Sequence, residues 1–454
     1  MTFHQSELQQ LETHFANSRN EIVIFYGDAQ NAVHETLRTF LKNKPTFYYR
    51  ARSASARLQL QFFYDEIRED LPKGMRIDVR YSEILSAMLS VTCEKRIIVI
   101  DEFHLFLRSD PTFMDELIRT VHNKWNNQKV LFLLSSTNKN WVEQDMVSLL
   151  SEKAYEVSAL IEQKDLTFAD LKAYFPEYDF LSAVETYGIF GALKGNWAEL
   201  DPALSLQENL SKYVLTKGSY FYERGMRILP EELREPTVYH TLLCALASGR
   251  KKLNDLYKLT GYDRAKISVY LKNMTEYHIV EKVESYNAPG HENVQKGIYR
   301  IVDPFVRFWF CFVFPHYSKL SFMESEKFNK KYIDANLRTY AESTYVSVCS
   351  EFLLKNYAQK ENETQFETMG TWFGKVGTID FIATTKEGKS IAAYCNFEKN
   401  KMTYADLEWN QYCLKQARIK CDRLYLFSYS SFDEKLKKEA LSDSALILID
   451  GELQ

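Results

Sequence analysis

The stretch Arg96-Ile97-Ile98-Val99-Ile100-Asp101-Glu102-Phe103 holds four consecutive β-branched aliphatic residues and ends in two adjacent carboxylates. A strand apolar at every position is covered on both faces, as in a parallel sheet flanked by helices. Its end delivers Asp101 and Glu102 to the place where acids hold a magnesium ion and polarise water in phosphoryl transfer. Such a pair works with a glycine-rich turn carrying a Lys and a Ser or Thr after the first strand. The corresponding stretch here is Ile24-Phe25-Tyr26-Gly27-Asp28-Ala29-Gln30-Asn31-Ala32-Val33-His34. Gly27 is present, but Ala32, Val33 and His34 stand where Gly, Lys and Thr are expected. Half of a phosphate-handling site is legible.

Working outward, short β-rich runs at 21–26, 46–49, 96–100 and 129–134 alternate with amphipathic helical patterns. That alternation predicts a doubly wound parallel sheet over residues 1–160. Residues 161–234 read as a helical lid subdomain, with Leu166, Leu171, Phe175, Leu206, Leu210 and Tyr213 at roughly helical spacing. From 235 to 303 the pattern becomes three short helices and a hairpin, the order of a winged helix-turn-helix. Gly261 supplies a turn there and Asp263 caps the third helix. Residues 304–454 comprise an aromatic linker helix and a final α/β unit, with strands expected at 378–383, 390–395 and 423–427.

The composition suits several packed domains. A chain of 454 residues with 45% hydrophobic and 14% aromatic residues is too long for one core and too apolar for disorder. A formal net charge of −4 argues against indiscriminate binding of nucleic acid. The apolar run at 305–315 contains Arg307 and is too short to span a bilayer. The polar N-terminal segment does not read as a secretory signal. Seven cysteines without paired CxxC spacing read as buried thiols of a reducing compartment. A cytoplasmic protein without membrane contact is expected.

With these elements in place, the chain resembles the archaeal-type ATPase family, a branch of the AAA+/STAND P-loop ATPases with a winged helix and a C-terminal restriction-endonuclease-like domain. The resemblance is carried by Ile97-Ile-Val-Ile-Asp-Glu-Phe103, by the serines ending the next strand, Leu134-Ser-Ser136, and by non-catalytic strings. These strings are Leu233-Arg-Glu-Pro-Thr-Val-Tyr239, Ile267-Ser-Val-Tyr-Leu271 and Tyr299-Arg-Ile-Val-Asp-Pro-Phe305. The family's first-strand string resembles Tyr-Gly-Arg-Arg-Arg-Val-Gly-Lys-Thr, which is degenerate here. Its glycine-proline motif is only partly kept in Tyr187-Gly-Ile-Phe-Gly-Ala-Leu-Lys194, where Lys194 takes the proline position.

The resemblance implies ATP and Mg2+ as ligands, with Asp101 and Glu102 as the candidate catalytic pair. Gly27, His34 and Ser136 are the vestigial nucleotide-binding positions. Without a P-loop lysine, binding of both ligands is expected to be weak or absent. In the winged helix, Arg264, Lys266 and Lys272 could contact DNA phosphates, while the same module equally suits a protein partner. In the nuclease-like unit only Asp380 remains of the metal-binding acids. Tyr345 replaces the helix acid, and Tyr394-Cys-Asn396 replaces Glu-x-Lys. No metal site is expected there, because one carboxylate is too few ligands for a hard cation. The aromatic stripe Phe305, Phe308, Trp309, Phe312 and Phe314 reads as core rather than as a stacking surface. The chain is therefore expected to be a catalytically impaired homologue acting as a binding or regulatory scaffold. The alternative is an ATP-binding switch with weak ATP hydrolase activity that controls DNA or protein binding through the winged helix.

Overall fold

The computed structural model describes residues 5–27, 30–71, 78–90, 95–122, 129–229, 234–277, 279–286, 297–359, 366–385, 387–398 and 400–451. The chain forms two compact units, one of residues 1–166 with 193–195, the other of 167–192 with 196–454.

In the first unit, strands β1 (Glu21–Tyr26), β2 (Thr46–Arg50), β3 (Lys95–Asp101), β4 (Lys129–Ser136) and β5 (Ala159–Glu162) lie in the order β2-β3-β4-β1-β5. Every pair is parallel. The expected P-loop NTPase-like α/β fold is what the chain adopts. Strand side chains alternate between faces with a period of two. Val23, Phe25, Ile97, Val99, Leu131 and Leu133 pack on one face with Leu11, Val33, Leu37 and Phe40, which come from the helices Gln5–Ala16 and Gln30–Leu41. Ile22, Ile24, Ile98, Ile100, Phe132 and Leu134 pack on the other face with Phe63, Phe103 and Phe106. Each such side chain contributes about 1.5–3 kcal/mol on burial, so the runs apolar at every position specify helices on both sides. The four-residue edge strand β5 was not expected from sequence; it is short, and only its Ile161 is buried while Leu160 is exposed.

The second unit contains three helices, Pro236–Ala247, Leu253–Thr260 and Arg264–Glu276, followed by the antiparallel strands β6 (Val280–Glu284) and β7 (Gly297–Ile301). Gly261 ends the second helix at φ +73°, and the Asp263 carboxylate caps the third by accepting from the Lys266 N–H at 2.8 Å. The aromatic stretch lies in the core. Phe305, Phe308 and Trp309 are buried, while Phe314 surfaces at its end. Trp309 lies so close to Gly225 that a Cβ there would meet its ring at 2.3 Å.

A separate sheet follows the long helix Ala335–Gln359: β8 (Phe366–Phe373), β9 (Thr378–Thr385), β10 (Ser390–Asn396), β11 (Arg423–Ser428) and β12 (Leu446–Asp450), in the order β12-β11-β10-β9-β8. β8, β9 and β10 run antiparallel, and β10, β11 and β12 parallel. The long helix covers one face with Ala341, Tyr345, Val348 and Leu353. The helix Tyr404–Ala417 covers the other with Leu407, Cys413 and Leu414. No helix of the described residues is long and apolar enough to cross a membrane.

Candidate functional site

Parallel order places the C-terminal ends of β1, β2, β3 and β4 along one edge of the first sheet, where ligands of open α/β folds bind. Register pairs Arg50 with Asp101 across β2 and β3. Asp101 is fully buried and surrounded by donors. Its Oδ2 accepts from the Tyr48 hydroxyl at 2.6 Å and lies 3.1 Å from His34 Nε2. Its Oδ1 accepts from Ser135 Oγ at 2.7 Å and from the Glu102 N–H at 3.1 Å. The Arg50 guanidinium adds a contact at 3.5 Å. Burial alone would raise the Asp101 pKa, but the bonds from His34, Tyr48 and Ser135 hold it below the ordinary carboxylate value. Tyr48 is pushed the other way, upward, by burial and by Asp101, so it keeps the proton it donates.

Glu102 sits at φ +54°, ψ +40°, a left-handed conformation that costs a non-glycine residue about 1–2 kcal/mol. The turn aims its carboxylate at the start of the loop after β4. There it accepts from the Thr137 N–H at 3.1 Å and the Thr137 hydroxyl at 2.8 Å. Arg50 approaches it at 3.6 Å and His104 Nδ1 at 3.4 Å. His104 is buried, and burial with the nearby Arg108 charge pulls its pKa to about 4, so it is neutral at pH 7. Its Nδ1 also lies 3.0 Å from Ser136 Oγ. That same Ser136 oxygen accepts the Asn138 N–H at 3.1 Å.

A phosphate-binding turn needs several backbone N–H groups aimed at one anion. Gly27 does not offer its own, because it donates to the Ser136 carbonyl at 3.1 Å. Close approach explains this glycine, since a Cβ would lie 3.0 Å from Gln163. Val33, at the lysine position, is fully buried in the core beneath the sheet. His34, at the hydroxyl position, turns to Asp101. Lys194 contributes an ammonium close by, but it pairs with Glu35 at 2.7 Å. The described residues therefore do not fit a triphosphate. Asp28, and with it the middle of the turn, lies outside the described residues.

The structure thus brings Asp101, Glu102, His34 and Ser136 to one place, beside Gly27. Sequence reading missed Tyr48, Arg50, Thr137 and His104. The alternation in Thr46-Phe-Tyr-Tyr-Arg50 carried a signal: Phe47 and Tyr49 enter the core, so Tyr48 and Arg50 share the opposite face of β2, beside the acids. Among the described residues, His34, Asp101 and Glu102 form the only cluster of three or more His, Cys, Asp or Glu side chains whose ligand atoms all lie within 4.8 Å of one another.

The other candidate residues lie in the second unit. Arg264 donates to Asn254 at 2.7 Å and stacks over Tyr257. Lys266 pairs with Glu235 at 3.2 Å, and Tyr270 donates to the same carboxylate at 2.6 Å. Lys272 is exposed on the same helix. Asp380 accepts the Cys395 N–H at 2.9 Å, and burial raises its pKa to about 6. Tyr345 is fully buried and stacks on Phe397, with ring centres 4.8 Å apart. Glu351, on the long helix, accepts from the Phe168 N–H and the Tyr187 hydroxyl, which lie on two other helices.

Residues 309–407 match the DUF234 family, described as archaea bacterial proteins of unknown function. An uncharacterized protein of Methanocaldococcus jannaschii is 23% identical over 387 residues, covering 85% of this chain and 84% of its own length. Among solved structures, the Walker-type ATPase of Pyrococcus abyssi is similar with a TM-score of 0.39 and 14% identity, over 68% of this chain and 96% of that one. A STAND protein with a tetratricopeptide repeat sensor from Pyrococcus horikoshii is similar with a TM-score of 0.29 and 16% identity, over 78% of this chain and 49% of that one.

Proposed function

We propose that the chain is a non-hydrolysing P-loop-fold protein that acts as a binding or regulatory scaffold in the cytosol. The observation that carries this reading is the donor set on Asp101. A buried carboxylate kept for a water-bound magnesium ion needs free acceptor capacity on the ligand side. Here His34, Tyr48, Ser135 and Arg50 engage both oxygens. Glu102 is likewise held by Thr137 rather than aimed at a water above a phosphate. Magnesium and ATP would have to displace these donors without a P-loop lysine to neutralise the phosphates.

The three-helix and hairpin module is the proposed contact surface, read as a winged helix. A protein partner suits it better than DNA, because Glu235 already pairs with Lys266 on the helix that would enter a groove. The C-terminal sheet unit is proposed as a nuclease-like fold without nuclease chemistry, since among the described residues Asp380 belongs to no cluster of three or more His, Cys, Asp or Glu side chains that could hold a metal ion. Phosphate release from ATP tests the reading directly. Wild type and Asp101→Asn should be indistinguishable from buffer; turnover in wild type that disappears in Asp101→Asn overturns it.

A further inference from the structure

We propose that Lys251, Arg300 and Arg307 form an oxyanion site in the second unit that takes a phosphate dianion, free or as the monoester of a small molecule. Lys251 lies between the helices Pro236–Ala247 and Leu253–Thr260, Arg300 on β7 and Arg307 on the helix Pro304–Phe308. This site is independent of the acids that end β3 and of how they are read. Phosphate is held best by fixed cations with N–H donors to spare, because charge-assisted hydrogen bonds are about twice as strong as neutral ones.

Local backbone and side-chain contacts bring the three cations together. The Lys251 carbonyl accepts from the Tyr299 N–H at 2.8 Å, which ties the turn carrying Lys251 to β7 beside Arg300. The Arg307 guanidinium lies 4.0 Å over the centre of the Tyr340 ring. It donates to the Ser343 hydroxyl and, at 3.2 Å, to the Tyr340 carbonyl. These contacts fix the guanidinium while using only two of its five N–H donors. Lys251 is accessible to solvent. Partial burial and the charges of Arg307 and Arg300 nevertheless hold its ammonium below the ordinary lysine value. An anion placed among these groups relieves their mutual repulsion.

The neighbouring acids are already committed. Glu281 pairs with Arg300, and among the described residues no carboxylate pairs with Lys251 or Arg307. Asp303, one turn before Arg307, pairs with Arg224 and accepts from the Phe305 and Val306 N–H groups. Two positive charges thus stand unanswered, matching the charge of about −1.5 to −2 that a phosphate monoester carries at pH 7. A duplex backbone presents single charges spread along its length. Cations gathered about one lysine suit the compact dianion instead.

Calorimetric titration of the full chain at low ionic strength, with inorganic phosphate in one arm and glycerol 3-phosphate in the other, tests the proposal. Wild type should bind at least one of them. Heat from inorganic phosphate alone marks a site for the free anion, and heat from glycerol 3-phosphate marks one for an ester. Lys251→Gln and Arg307→Gln should each weaken binding at least about tenfold. Lys438→Gln, which removes an exposed charge on another helix, should leave it unchanged. Melting curves report whether each variant is folded; because Arg307 also packs on Tyr340, the exposed Lys251→Gln carries the test if Arg307→Gln does not fold. No heat from either ligand at millimolar concentration, or an affinity in Lys251→Gln equal to that of wild type, overturns the proposal. So does duplex DNA that binds through Lys251 while neither small ligand does.

Discussion

His34 Nε2 and Asp101 Oδ2 meet at 3.1 Å, joining the helix after the first strand to the buried end of the acidic strand. In a phosphate-handling site those two positions are bridged by a metal ion and its waters. Here they touch each other, and Tyr48, Ser135 and Arg50 complete the ring of donors.

Restoring the lysine should be costly. Val33 is fully buried against Leu37, Phe40 and Phe25, so Val33→Lys places an ammonium in an apolar core. A loss of about 3 kcal/mol in urea unfolding is expected, with no gain in ATP binding. Unchanged stability would mean that the helix can rotate position 33 towards the site.

Removing the Tyr48 hydroxyl takes a 2.6 Å bond from a buried anion. Tyr48→Phe should cost about 1.5–3 kcal/mol at pH 7. The Asp101 pKa is depressed below 3.8 in the folded chain, so its ionised form adds stability above that value, and this is lost as pH falls through the folded pKa. In Tyr48→Phe the folded pKa rises, and the acid-side contribution from Asp101 shrinks. Superimposable pH–stability curves for the two proteins would contradict this.

Asp380 has the opposite sign. Burial raises its pKa from 3.8 to about 6, so the folded state favours its protonated form. That contribution is complete below pH 3.8 and is lost as pH rises through about 6. Asp380→Asn keeps an oxygen for the Cys395 N–H and should stabilise the chain at pH 7 by on the order of 1–3 kcal/mol. A destabilised variant would show that the ionised carboxylate has a partner that the neutral amide cannot serve.

Gly225 should tolerate no side chain. A Cβ at this position falls 2.3 Å from the Trp309 ring, and Trp309 is one of the largest fully buried side chains. Gly225→Ala is expected to cost about 1–3 kcal/mol, readable as a lowered thermal midpoint. No change would mean that the indole moves freely in its pocket.

The fold was legible because its signals are local and redundant. Ile97–Ile100 and Leu131–Leu134 are apolar at every position, and Gly261 and Asp263 punctuate the helical module as expected. The edge strands β5, β8 and β12 were not anticipated, because edge strands mix exposed and buried residues; β5 is also only four residues long. Within the site, the acids and the altered loop could be read directly. Their donors could not. Tyr48 and Thr137 lie 53 and 35 positions away from the carboxylates they serve, and only strand order brings them together. The left-handed turn at Glu102 has no sequence signature, since glutamate rarely adopts it.

Thermal denaturation with millimolar ATP and magnesium tests the silent-site reading most directly, since a ligand at 100 times its dissociation constant adds about 2.7 kcal/mol of stability. An unmoved midpoint in wild type, matching that of Asp101→Asn, is the expected result. A clear upward shift in wild type that Asp101→Asn abolishes would show that nucleotide displaces His34 and Tyr48 from the carboxylate, and the scaffold reading would fall.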